Sequence, residues 1–144
     1  MEKVKVICPS CGATNKYPKD IHGKKVVCGR CRSVLPEPGT VLEPSLQQVS
    51  TLIKESSLPL LLDLYSPNYA SCHMMHSIIT NLAKRRAGEL IALRINVDQH
   101  PQIASSLGVQ NVPTFVIIHQ GNERARTSGA MSETDFSLWV ASKI

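Results

Sequence analysis

The chain has 144 residues, a net charge of +5 and a hydrophobic fraction of 42%, which suits one ordinary globular domain or a domain of about 100 residues with a small module attached. No apolar run approaches the ~18 residues of a membrane span, and Met1-Glu2-Lys3-Val4-Lys5 leads into no long apolar segment, so neither a spanning helix nor a secretory leader is expected. A cytoplasmic location follows as the expectation, and there cysteines generally serve metal or redox chemistry rather than structural disulfides.

Charge and cysteine both divide the chain near residue 40. Lys3, Lys5, Lys16, Lys19, Lys24, Lys25, Arg30 and Arg32 stand against Glu2, Asp20 and Glu37, and account for the whole positive excess. Cys8, Cys11, Cys28 and Cys31 lie in this front part, and Cys72 alone lies behind it. Two modules are therefore expected, residues 1–38 and 39–144.

Cys8-Pro9-Ser10-Cys11 and Cys28-Gly29-Arg30-Cys31 are two C-x-x-C pairs sixteen residues apart, the spacing of a four-cysteine zinc site. Each tight turn brings two thiolates to one side of a metal, and two such knuckles complete a tetrahedron. Gly12 and Gly29 suit turns that need positive φ. About 35 residues cannot bury enough apolar surface to fold alone, so one structural zinc ion would supply most of the folding free energy. Two redox pairs or a pair of disulfides are the competing readings. A basic module also raises nucleic-acid binding, but the zinc tetrathiolate would remove two charges and Tyr17 is its only aromatic, which gives little surface for base stacking. A solvated basic face is the simpler reading.

Pro36-Glu37-Pro38-Gly39 reads as a linker. Ser45 can cap a helix carrying Leu46, Val49, Leu52 and Ile53 that closes near Ser56-Ser57. Leu60 to Tyr65 is an aliphatic run of strand length, stopped by Pro67. From Cys72 to about Arg86, Met75, Ile78, Ile79 and Leu82 recur at helical spacing. Leu90 to Val97 reads as a second buried strand, and Pro101 opens a short helix through Leu107. A strand through Ile118, a turn at Gln120-Gly121-Asn122, an edge strand from Arg124 to Thr127 and a bend at Gly129 follow. Ser132 to Val140 is a capped helix with Phe136, Trp139 and Val140 on its apolar side. These elements make a mixed α/β sheet with helices on both faces.

Leu60-Leu61-Leu62-Asp63-Leu64-Tyr65-Ser66-Pro67-Asn68-Tyr69-Ala70-Ser71-Cys72-His73-Met74-Met75 resembles the strand–loop–helix of the thioredoxin family, V-D-F-W-A-P-W-C-G-P-C-K-M-M. Gly108 to Thr114 resembles the same family's G-I-x-x-I-P-T motif. With the cysteine pairs ahead of it, nearly the whole chain is similar to the zinc-ribbon thioredoxins of bacteria (the thioredoxin-2 type). The resemblance implies a thioredoxin fold preceded by a small four-cysteine zinc ribbon. It implies a buried acid at Asp63, an aromatic floor at Tyr65, the second cysteine at Cys72 and a charge partner for the acid at Arg94. It also implies a cis bond at Val112-Pro113, which with Tyr65 and Asn68 borders the surface where an extended substrate peptide pairs.

One position departs from that pattern decisively. The family's attacking cysteine falls on Tyr69, whose phenol has a reference pKa near 10 and no disulfide chemistry. Dithiol exchange needs one thiol to attack and a second to resolve, so disulfide reduction is expected to be weak or absent. Three fates are open to Cys72: a small buried residue, a single thiol forming mixed disulfides with glutathione or a partner, or a ligand of a second metal with His73 and His76. Those positions share a helix face, and Met74 and Met75 would suit a soft metal, although both fit a core and helix-face role. The partners implied are a protein or peptide and, by resemblance, thioredoxin reductase; the alternative to an enzyme is a binding module that uses the proline edge. Asn68 for tryptophan, Ala70-Ser71 for Gly-Pro and Ser77 for a kinking proline are further departures.

Overall fold

The computed structural model describes residues 2–21 and 23–144. In chain order the elements are β1 (Lys3–Ile7), β2 (Thr14–Pro18), α1 (Leu46–Glu55), β3 (Leu60–Tyr65), α2 (Ala70–Arg85), β4 (Ile91–Asn96), α3 (Pro101–Leu107), β5 (Thr114–His119), β6 (Asn122–Ser128) and α4 (Glu133–Lys143). β1 and β2 pair as an antiparallel hairpin, and the remaining strands form one sheet in the order β4-β3-β5-β6. β3 runs parallel to β4 and antiparallel to β5, and β5 is antiparallel to β6. A single parallel bridge from Leu42 to Leu93 extends the sheet beyond β4.

This is the thioredoxin fold, a mixed sheet flanked by helices. β3 is its axis, since Leu60 to Leu64 are buried throughout. Alternation along the strand sends Leu60, Leu62 and Leu64 into one core with Val49 and Leu52 of α1. Leu61 goes into the other, with Met75, Ile79 and Leu82 of α2 and Phe136 and Val140 of α4. Phe115 and Phe136 meet edge to face at 4.8 Å and tie β5 to α4. A strand covered on both faces reads as a continuous apolar run.

The local signals place most elements. Ser45 accepts from Gln48 N while the Gln48 side chain returns to Ser45 N, a full capping box for α1. Gly108 ends α3 in the left-handed conformation. Gln120 and Gly121, both at positive φ, form the two-residue hairpin between β5 and β6. The expected helix at Cys72 begins two residues earlier, at Ala70, because the chain leaves extended geometry at Tyr69. β6 spans seven residues rather than the four expected, since the hairpin is tight enough for pairing to resume at Asn122.

The cysteine-bearing segment is not a pendant. Ile7 is fully buried in the α1-side core with Val49, Leu52 and Leu58, a contact of about 2–3 kcal/mol by area. Thr14 Oγ1 lies 2.7 Å from Ser57 Oγ. Gly12, at φ +80°, packs so tightly on the end of α1 that an added Cβ would come within 2.2 Å of Glu55 Cβ. Gly12→Ala should therefore cost about 3 kcal/mol or more, combining left-handed strain with overlap. Gly23→Ala, at φ +72° with open space around it, should cost only about 1 kcal/mol. Urea unfolding of the two variants measures the difference, and equal losses would show that the segment does not press on α1.

Candidate functional site

Two places gather chemistry. In the first, each C-x-x-C turn closes in the same way: Cys8 N donates to Ala13 O and Gly12 N to Cys8 O, while Cys28 N donates to Ser33 O and Arg32 N to Cys28 O. The positive-φ residue in both comes after the second cysteine. In the first turn it is Gly12, as expected; in the second it is Arg32, at φ 70°, and not Gly29. Gly29 instead donates its amide to Asn15 Oδ1 at 3.0 Å. Arg30 reaches back to the Cys11 carbonyl and links the turns.

The four Sγ atoms of Cys8, Cys11, Cys28 and Cys31 lie within 4.8 Å of one another, with Cys8–Cys31 and Cys11–Cys28 at 3.6 Å. A tetrahedral site with Zn–S bonds of about 2.3 Å has S–S edges of about 3.8 Å, so the four sulfurs could hold a metal ion. None of them is in a disulfide. Burial opposes ionisation of Cys28, but N–H groups of the Cys31 and Arg30 backbone and the Asn15 side chain outweigh it and hold the thiol down at about 6. Burial pushes Cys8 up to about 12. Asn15, which no spacing rule singles out, thus steadies the Cys28 thiolate and the turn that carries it.

The second place is the C-terminal end of β3. Ser66 is buried, and its hydroxyl donates to Asp98 Oδ2 at 2.7 Å while accepting from Asn68 N at 3.4 Å. The loop then turns into α2, with Tyr69 as its N-cap in extended geometry and no side-chain cap bond. The Tyr69 ring is 55% exposed, whereas Cys72, one turn in, is 1% exposed. Burial pushes the Cys72 thiol up, and the nearby Asp63 charge adds to this against a hydrogen bond from the Ser66 backbone.

The three candidate ligands of a second metal are not brought together. Cys72 points into the interior, and His73 Nε2 lies 2.7 Å from Pro67 O on the exposed side. Among the described residues, the four front cysteines are the one cluster of such groups that could hold an ion. Met75 is buried in the α2-side core and Met74 is exposed; their roles are those of a core and a helix-face residue.

Beneath the loop, Asp63 is 1% exposed and accepts from Arg94 Nε at 3.4 Å across the parallel β3–β4 register. Its Oδ1 has no hydrogen-bond partner among the described residues. Arg94 in turn stacks over Tyr65, with its guanidinium carbon 4.0 Å from the ring centroid. Val112-Pro113 is a cis bond, and pairing of Thr114 with Leu64 sets it at the same end of the sheet as the Ser66–Tyr69 loop. Arg126, another residue the sequence does not flag, bonds the carbonyls of Leu107 and Gly108 and pairs with Glu123 at 2.7 Å. It fastens β6 to the loop that leads into Pro113.

Residues 40–142 match the thioredoxin family profile. The chain belongs to the thioredoxin family. It is 30% identical over 135 residues to thioredoxin C-3 of Corynebacterium nephridii, an alignment covering 94% of this chain and 92% of that one, so the likeness extends into the cysteine-bearing segment. It is 35% identical over 117 residues to the chloroplastic thioredoxin M4 of Arabidopsis thaliana, covering 81% and 60% of the two chains. Among solved structures, chloroplastic thioredoxin z superposes with a TM-score of 0.65 at 23% identity, over 72% of this chain and 93% of that one. A mutant thioredoxin from Halobacterium salinarum superposes at 0.66 and 22% identity, over 75% and 94%. No helix among the described residues is long and apolar enough to cross a membrane.

Burial raises the Asp63 carboxyl from 3.8 to about 6, against the opposing pull of Arg94. Between those values the native state holds a proton that the unfolded chain has released. Stability from this group is therefore full below about pH 4 and lost as pH rises through 6, by roughly 3 kcal/mol. Asp63→Asn should accordingly gain up to about that much at pH 8 and nothing below pH 4. Denaturation curves across this range test it; a variant no more stable at pH 8 would show that Asp63 is fully compensated.

Proposed function

We propose that this is a zinc-ribbon thioredoxin whose active site has lost dithiol exchange and serves as a binding surface for a protein or peptide segment. The observation that carries the reading is the pairing of an exposed Tyr69 at the nucleophile position with a buried Cys72 one turn behind it. A disulfide substrate needs an exposed thiolate of low pKa to attack it and a second thiol to release it. Cys72 has neither exposure nor a neighbouring thiol, since the other cysteines belong to the front segment. Burial also disfavours a mixed disulfide at Cys72 with glutathione or a partner.

What remains usable is shape. Tyr69, Asn68 and Pro67 are exposed, and Tyr65 and Val112 are half-buried beside them. The Val112 backbone has no backbone partner among the described residues, so an extended segment can pair with it while Tyr69 and Tyr65 supply aromatic contact. Asp63 keeps its buried place near Cys72, whose thiol has no mixed disulfide to resolve. Thioredoxin reductase, a partner suggested by resemblance, would find no disulfide here to reduce.

The reading divides the chain into a ribbon over residues 1–38 and a thioredoxin-like domain over 39–144. Cys8, Cys11, Cys28 and Cys31 would hold one zinc ion, whose role is to fix the ribbon's fold. A reducing, cytoplasmic setting belongs to the same reading, because there thiols stay free for a metal.

Zinc quantification together with thiol counting on the native protein provides the test. One zinc per chain, no fast-reacting thiol and no acceleration of dithiothreitol-driven disulfide reduction are expected. Tyr69→Cys should restore measurable reduction, because the scaffold beneath it is intact. A fast-reacting thiol assigned to Cys72, or reduction by the parent protein, would overturn the binding-module reading. Chelation of the zinc should unfold the ribbon and, through Ile7, lower the melting temperature of the remaining domain.

A further inference from the structure

On the side of the sheet where β4 approaches the start of α1, Glu43, Pro44, Tyr65, Arg94, Asn96, Gln99 and His100 line a cleft of about 250 Å³. This lies below the ~300–1,000 Å³ of sites for drug-sized ligands, so its occupant is small. The lining is polar and carries one full charge of each sign, from Arg94 and Glu43.

Arg94 is unusually constrained for an arginine bordering a cleft. Its Nε is committed to Asp63, its guanidinium carbon sits 4.0 Å from the Tyr65 ring centroid, and its side chain is 11% exposed. Neither terminal nitrogen has a protein partner among the described residues. A guanidinium held in this way keeps its two-pronged donor edge in place and loses little entropy when it meets a carboxylate. Asn96 is fixed as well: its Oδ1 accepts from Asp98 N at 2.9 Å and from Gln99 N at 3.4 Å, which leaves its two Nδ2 donors unengaged.

Glu43 faces the same space without pairing to Arg94; the arginine's ion pair is with Asp63. Opposite charges on one cleft that do not close on each other leave a gap with an anion-seeking and a cation-seeking wall. A simple anion would meet Glu43 as a repulsive neighbour, and a simple cation would meet Arg94 in the same way. A molecule carrying both charges satisfies both walls.

We propose that this cleft is a binding site for a compact zwitterion of the amino-acid class, its carboxylate taken by Arg94 and Asn96 and its ammonium by Glu43. The site shares only Tyr65 with the proposed peptide surface and does not depend on whether Tyr69 or Cys72 reacts.

The test is a nitrogen-15 NMR titration of the full, zinc-loaded chain with glycine, acetate and methylammonium at constant ionic strength. Glycine should shift the Tyr65, Asn96 and Gln99 amides saturably, with a Kd of about 1 mM, and acetate should bind about fivefold more weakly. Glu43→Gln, a change at an exposed position, should abolish the preference for glycine and strengthen acetate. Arg94→Lys keeps a charge beside Asp63 but loses the fork, and should weaken both ligands. Acetate binding as tightly as glycine to the parent protein would overturn the zwitterion assignment, as would unchanged preference in Glu43→Gln. Absence of any saturable shift would overturn the site altogether.

Discussion

Burial of β3 on both faces is the constraint from which the rest of the molecule follows. Leu60, Leu62 and Leu64 face α1, and Leu61 faces α2 and α4, so a one-residue slip would exchange the two sets and empty both cores. With the register fixed, the chemistry at the strand's far end is fixed too. Asp63 must be interior, Tyr65 must reach the sheet's edge, and the chain must turn at Ser66 before α2 can pack. The buried acid is held by a strand that cannot move away from it.

This rigidity holds the geometry at the head of α2 whatever side chain stands at the exposed position there. Position 69 caps α2 and is exposed, so a change of side chain there disturbs no core contact. Cys72 is different: it occupies interior space at the first turn of α2, and packing alone is enough to retain a small residue there. An exposed capping position tolerates a change of side chain that its buried surroundings do not. The same strand pairing sets Arg94 opposite Asp63, where its guanidinium lies over the Tyr65 ring.

Much of this is legible in the sequence because the signals are local. The aliphatic run at Leu60, the Ser45 cap, Pro101 at the head of α3 and the cysteine spacing each depend on a few neighbouring residues. In the second knuckle the glycine at 29 invites the left-handed role, yet hydrogen bonding places the bend after the second cysteine, at Arg32. Asn15 and Arg126 escape notice for a related reason. Their bonds join segments 14 and 19 residues apart, and no periodicity announces them. Nor can periodicity show that His73, beside Cys72, faces outward while the cysteine faces in.

Ile7 belongs by sequence to the cysteine-bearing hairpin and by packing to the sheet's core, so the chain's boundary in composition is not a boundary in cohesion. Gly12 seated against Glu55 makes the same point from the surface. The thioredoxin-like part of this molecule is therefore not a portable component. Cut at the linker, it would present solvent with an apolar socket and the bare end of α1, while an unrelated thioredoxin grafted behind this ribbon would offer no socket to fill. The ribbon and the helix it rests on are fitted to each other, and exchange between relatives would have to carry both surfaces together.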